Sequence, residues 1–220
     1  MTEEIRPKGK LESIIDEHGK KLFIAGIALV LVAGAWWYYS FQMVPKKERA
    51  ANQELFMAER YFERDSVGHV LEGTSEFAGA LDIAEAYGNT KAGKRAHYYI
   101  GRTYMKQGKF DEAISHLEQT GFDDEMMAPL TKRLIGDCYV ELDELETAVD
   151  YYWDAAKMRD NNYSTPQCYK KAALVYEKLE NWEKALKAYT ILKNDYPESE
   201  WSKDIQKYIA RAEAKINSAG

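Results

Sequence analysis

The chain has 220 residues, of which 45% are hydrophobic and 30% charged, and its formal net charge is −6. That charge leaves no basic surplus to release counterions from a phosphate backbone, which argues against nucleic acid as a partner. Cys138 and Cys168 are the only thiols, too few for a disulfide framework or a thiolate zinc cluster.

Residues 1–21 form an electrically balanced tail of five basic and five acidic side chains. Leu11, Ile14 and Ile15 give it a short apolar face suited to a membrane surface. From Leu22 to Val44 no side chain is charged (LFIAGIALVLVAGAWWYYSFQMV), while Lys20 and Lys21 precede the stretch and Lys46, Lys47 and Arg49 follow it. As a helix, residues 22–41 would span about 30 Å, the thickness of a bilayer hydrocarbon core. Trp36, Trp37, Tyr38 and Tyr39 would then lie at one interface. A core helix of a globular domain would keep a polar stripe, and this one has none. Ala33-Gly34-Ala35 imitates a signal-peptidase site, but the apolar character continues through Phe41. Residues 22–44 therefore read as one transmembrane helix. Five basic residues before it and four after it favour a cytoplasmic N-terminus. Gly26 with Ala33, and Ala28 with Ala35, would place small residues on one stripe of that helix.

Residues 45–93 read as a degenerate helical hairpin. One arm covers 48–64, with Leu55, Ala58, Tyr61 and Phe62 on one side. The other covers 75–87, and a loop at Ser66–Thr74 separates them. Three segments then follow one pattern, starting at Gly101, Gly136 and Ala173. Tyr104, Tyr139 and Tyr176 share a slot, as do Phe110, Leu145 and Trp182, and Ala113, Ala148 and Ala185. Small residues at two slots let helix backbones approach, and the tyrosine three positions on fills the space between them. Turns are expected near Gly108, Asp143 and Glu180. A single hairpin leaves its apolar face open, so neighbours must stack. Residues 201–216 read as the charged amphipathic cap, within a C-terminal segment 198–220.

This pattern resembles the tetratricopeptide repeat over residues 94–197, giving an all-α fold of one transmembrane helix and an α-solenoid. It departs from the usual repeat at several positions. His97 and Lys132 stand where the first-arm tryptophan is usual, glycine is missing from the second and third turns, and only the third repeat has its closing proline, Pro197.

The anchor region, Ile14-Ile15-Asp16-Glu17-His18-Gly19-Lys20-Lys21-Leu22 and then Trp36-Trp37-Tyr38-Tyr39, is similar to the YfgM-like ancillary subunit family of the bacterial SecYEG translocon. Ala86-Tyr87-Gly88-Asn89-Thr90, Ala92 and Ala96 resemble that family's lead-in to its first clear repeat. The resemblance implies a single-pass inner-membrane protein with a periplasmic C-terminal domain. It also implies an accessory role at the Sec translocon beside a membrane-anchored periplasmic chaperone of the parvulin-like type, holding exported polypeptides. An alternative is a tetratricopeptide scaffold that coordinates envelope or cell-wall assembly.

No enzyme is expected. No G-x-S-x-G or phosphate-binding glycine loop occurs, and Asp111-Glu112 and Asp123-Asp124 fall where helix starts favour acids. His18, His69, His97 and His116 form no H-x-x-x-H pair and adjoin no cysteine, so neither a metal nor a cofactor is expected. Cys138 and Cys168 read as small core residues, and an oxidising compartment would leave a disulfide open to them. In this repeat family the first arms line a concave groove. That places Arg95, Tyr98, Arg102 and Met105 on the partner-binding face, then Leu130, Arg133, Asp137 and Val140, then Gln167, Lys170, Leu174 and Glu177.

Overall fold

The structure is a computed structural model that describes residues 10–219, with side chains at 19–21 and 23–218. The apolar face expected from Leu11, Ile14 and Ile15 lies outside the described side chains. Among the described residues regular structure is helical, apart from a single antiparallel bridge between Gly73 and Ala78. The chain divides into two units at Ala50 and Ala51.

The first unit is dominated by α1 (Lys10–Tyr38) and a π-helical turn at Tyr39–Met43. The helical stretch beginning at Gly19 is long and apolar enough, by length and composition, to cross a membrane. Within it Phe23 and Val30 are each 71% exposed. The π turn has a local cause. Pro45 lacks an N–H, and its ring would clash with the carbonyl four residues back. The backbone widens there, and Val44 N–H bonds the carbonyl of Tyr39, five residues earlier.

The second unit begins within α2 (Val44–Glu63), where Ala51, Leu55 and Ala58 are buried. It continues through α3 (Val67–Glu72), α4 (Ala80–Tyr87), α5 (Lys91–Lys106), α6 (Phe110–Glu118), α7 (Met127–Glu141), α8 (Leu145–Met158), α9 (Thr165–Lys178), α10 (Trp182–Asp195) and α11 (Ile205–Ala219). From α4 onward each helix packs on the next.

One turn is used three times at the repeat slots. After each slot tyrosine the chain runs four residues to a left-handed position: Gly108 (φ 72°), Asp143 (φ 60°) and Glu180 (φ 55°). The next N–H returns to the tyrosine carbonyl, from Lys109 to Tyr104 at 3.0 Å, Glu144 to Tyr139 at 2.9 Å and Asn181 to Tyr176 at 2.9 Å. This is a Schellman-type closure, which satisfies carbonyls that a helix end leaves orphaned. The second arms then start at the aromatic slot, at Phe110, Leu145 and Trp182. Ala113, Ala148 and Ala185 are fully buried at the seam.

The same turn occurs a fourth time, upstream. Asp65 has φ 59°, and Ser66 N–H bonds the Tyr61 carbonyl at 2.9 Å. Ala58 then takes the small slot, Val67 opens α3 as Phe110 opens α6, and buried Val70 stands in the alanine slot. The segment Ser66–Thr74, read from sequence as a loop, therefore holds a helix. Its β-branched valines had hidden the register. The helix expected over 75–87 begins at Ala80. A Cβ on Gly79 would lie 2.1 Å from the Leu71 carbonyl oxygen, so the backbone folds tightly there before α4 can start. At the far end the expected helix 201–216 is broken. A 3₁₀ turn covers Glu200–Ser202, Asp204 sits at φ 59°, and α11 starts only at Ile205.

Candidate partner-binding face

The first arms α5, α7 and α9 are held in register by contacts at the small slots. A Cβ on Gly101 would lie 2.7 Å from Leu117 Cγ, and one on Gly136 would lie 2.8 Å from Tyr152 Cε1. In the third repeat Ala173 carries its Cβ and is fully buried, beside an equally buried Tyr189. The twelve side chains assigned to the face from sequence are placed by these arms, and their environments differ.

On α5, Arg95 turns back towards α2. Its Nη2 donates to Asn52 Oδ1 at 2.6 Å, and its Nε lies 3.6 Å from Glu59 Oε1. Arg102 Nη1 donates to the Tyr98 hydroxyl at 2.9 Å. The Arg102 guanidinium also lies 5.8 Å from the ring centres of both Tyr98 and Phe62. Among the described residues no carboxylate pairs with Arg102. Met105 is half-buried and, like Tyr98, packs against the core formed by α6 and α7.

On α7, Leu130 joins that same core, while Val140 packs towards α8 and α9. Asp137 is the hub of the middle repeat. It accepts from Arg133 Nη1 at 2.9 Å, from Lys171 Nζ at 3.0 Å and from the Tyr152 hydroxyl at 2.6 Å. Burial, and then the Asp137 charge, raise the Tyr152 pKa, so this phenol stays a donor. The two cations leave the cluster with a net positive charge.

On α9, Gln167 is half-buried and Leu174 is 40% exposed, the most open apolar side chain of the twelve. Lys170 and Glu177 are occupied by the chain itself. Glu177 Oε1 accepts from the Tyr189 hydroxyl at 2.9 Å and from Arg211 Nη2 at 2.7 Å. Lys170 is 8% exposed, and its Nζ lies 3.0 Å from the Tyr208 ring centre without a hydrogen-bond partner. Burial lowers its pKa from 10.5 to about 8. The reading of Lys170 as a face residue open to a partner is therefore corrected. Tyr208 and Arg211 of α11 cover that part of the third arm.

Two residues missed from sequence complete the open end of the face. Phe62 supplies the second ring beneath Arg102, and the Lys106 ammonium lies 4.5 Å from the same ring. Both follow once the upstream turn at Asp65 is recognised as a repeat turn. A second concavity, of about 560 Å³, lies between α8 and α10 and includes Trp153, Tyr176, Lys157 and Lys184. Trp153 Nε1 donates there to the Tyr176 hydroxyl at 3.1 Å.

The structure also brings together two histidines that sequence spacing had set apart. His97 on α5 and His116 on α6 face each other with Nδ1 atoms 3.0 Å apart. Burial lowers both pKa values, and for His97 the neighbouring His116 lowers it further. Cys138 and Cys168 are buried and unpaired, and burial pushes both thiols up to about 12.

Comparison with known proteins agrees with the repeat geometry. The tetratricopeptide repeat family models match residues 94–120 and 170–199. The fold is similar to the crystal structure of the Podosopora anserina putative kinesin light chain nearly identical TPR-like repeats, with a TM-score of 0.57 and 15% identity. That match covers 78% of this chain and 89% of the other. It is also similar to the crystal structure of MamA protein, with a TM-score of 0.51 and 18% identity over 76% of this chain and 92% of that one. No curated protein matches the chain. The chain thus carries tetratricopeptide repeats in an all-α solenoid-like fold, and such repeats mark a protein-interaction scaffold.

Proposed function

We propose that this protein is a membrane-tethered scaffold of the bacterial envelope, an accessory of the Sec translocon that holds a segment of a partner protein on the face of its first arms. The observation that carries the binding mode is Arg102. Its guanidinium lies 5.8 Å from the ring centres of both Tyr98 and Phe62, with no carboxylate among the described residues to neutralise it, at the end of the face that α11 does not cover. Arginine and tyrosine are enriched where interfaces carry energy. A cation beside aromatic rings, with Leu174 further along, suits an acidic and apolar partner segment. Support for the tether comes from the uncharged stretch Leu22–Val44, and support for the translocon from the family resemblance of residues 14–22 and 36–39. Confinement to the membrane plane would raise the effective concentration of the face near membrane partners. The protein acts by binding, not by catalysis.

A photo-crosslinking residue at Leu174 in intact cells tests this reading. Capture of translocon subunits, a membrane-anchored periplasmic chaperone or exported chains is the expected result. Capture of envelope-assembly proteins alone would move the assignment to the alternative scaffold. Capture of cytosolic proteins would invert the topology. Orientation is read separately by Asn217→Cys and an impermeant thiol reagent, with labelling expected from outside the cytoplasmic membrane.

A further inference from the structure

We propose that the concavity between α8 and α10 is a second protein-binding site, which takes a short acidic peptide segment of a partner and seats one of its apolar side chains on Trp153 and Tyr176. None of the twelve side chains of the first-arm face lines it, so a segment held here leaves that face free. Its volume, about 560 Å³, falls within the range of about 300–1,000 Å³ usual for ligand sites. The α8 wall is one stripe of Asp150, Trp153, Asp154 and Lys157, at the three- and four-residue spacings that set side chains on one helix face. The α10 wall offers Lys184 and Lys187, again three apart, and Tyr176 comes from α9.

Charge and hydrogen bonding select the occupant. The Lys157 ammonium lies 5.3 Å from the Trp153 ring centre, and the Lys184 ammonium 5.5 Å from that of Tyr176. Among the described residues no carboxylate pairs with Lys157, Lys184 or Lys187. Asp154 is engaged by Lys132 at 3.6 Å. Among the described residues that line the concavity, Asp150 is the only other carboxylate, so the site is locally positive on a chain whose net charge is −6. The Tyr176 hydroxyl accepts from Trp153 Nε1 at 3.1 Å, and among the described residues its own O–H has no acceptor. Burial raises the Tyr176 pKa, so the phenol stays a donor. Three ammoniums and a phenol thus present donors, and the carboxylates of an acidic segment supply the acceptors. Asp150 is left for a backbone N–H of that segment, a donor that a peptide offers and a simple anion lacks. Tryptophan and tyrosine are enriched where interfaces carry energy, and here the two rings are half-buried.

The test uses the full chain in non-ionic detergent micelles and the blocked peptide acetyl-EEFEEL-amide, titrated by calorimetry. The Arg102→Glu variant carries the measurement, so the outcome does not depend on the first-arm face. One equivalent of peptide should bind this variant, with an affinity that falls as salt rises. Adding Lys184→Glu and Lys187→Glu together should weaken binding by about tenfold. Both lysines are exposed, so the far-UV circular dichroism should not change. Tyr176→Phe keeps the ring, loses the donor and should weaken binding by about fivefold. The glutamine counterpart acetyl-QQFQQL-amide should bind about tenfold more weakly than the acidic peptide, with no change to the protein at all. Failure of the Arg102→Glu protein to bind the acidic peptide, an affinity unchanged by the two lysine substitutions, or equal affinity for the glutamine peptide would overturn the site.

Discussion

At the scale of single residues, the repeat is governed by two demands that sequence states unequally: close approach and backbone hand. Gly101 and Gly136 are small because a facing side chain occupies the position of their missing Cβ. Gly136→Ala should therefore cost about 1–3 kcal/mol through overpacking against Tyr152, read as a drop in the urea midpoint. Gly136→Trp should unfold the domain. Gly108 is different, since nothing lies within 4 Å of a Cβ there and only its φ of 72° matters. Glu180 holds the same conformation at φ 55° with a full side chain. Glu180→Gly should thus stabilise by about 0.5–1 kcal/mol, the left-handed cost relieved less the added chain entropy. The glycine missing from that turn in the sequence is a strain that the closing hydrogen bond sustains.

Lys170 gives a pH signature. The folded state releases its proton near 8, whereas the ordinary value is 10.5. Between those values the unfolded chain binds more protons than the folded one, so stability rises with pH through that window. Below it both states are protonated, and the buried charge weighs on the fold. Lys170→Met should remove this slope. Denaturant midpoints of the wild type and the variant on either side of the window would show whether it does.

At the scale of elements, α11 is both cap and cover. Ile205, Ile209 and Ala212 are buried, and the helix shields Tyr189 and Leu192 of α10. It also supplies Arg211 to Glu177 and Tyr208 to Lys170. A chain ending at Asp204 should lose about 3–6 kcal/mol, from two isoleucines and the apolar surface they cover. The loss should appear first as rapid amide exchange in α9 and α10, with α5 and α6 still protected, because a solenoid unfolds from an uncapped end. The upstream end needs no separate cap. There α2 and α3 repeat the turn of the later hairpins, and Arg95 fastens α5 to Asn52 of α2. Arg102→Glu should leave helicity intact and weaken partner capture, since among the described residues Arg102 meets a tyrosine hydroxyl and two rings but no carboxylate. Equal loss of helicity in Arg102→Glu and Gly136→Trp would show that Arg102 belongs to the seam and not to the face.

At the scale of the whole molecule, the apolar stretch and the repeats make separate demands on solvent. Full-length protein should sediment with membranes and resist alkaline carbonate extraction. A chain beginning at Ala51 should instead be soluble and retain its helicity, because the side chains from Ala51 onward supply their own core. Release of the full chain by carbonate would remove the tether from the proposed function and leave the binding face standing.

The repeats were legible in the sequence because their key slots are set by contact distance, which tolerates few residue types. Gly101, Tyr104, Ala113 and their counterparts carry that constraint openly, and the uncharged run from Leu22 to Val44 is equally plain. The second arm of the upstream hairpin was misplaced because its slots accept Val67 and Val70, which fit the space but break the pattern. Periodicity placed the face on the first arms, and it records only direction. It does not record that α11 returns to cover Lys170 and Glu177, or that Asp137 is already shared among Arg133, Lys171 and Tyr152. The histidine pair was invisible for the same reason, being nineteen positions apart on two arms. Local propensity and periodicity belong to a segment, so the sequence by itself settled the paired helices of the three repeats and the turns at Gly108, Asp143 and Glu180. Which side chains remain free to bind depends on distances between segments remote along the chain, and only the packed tertiary structure decides those.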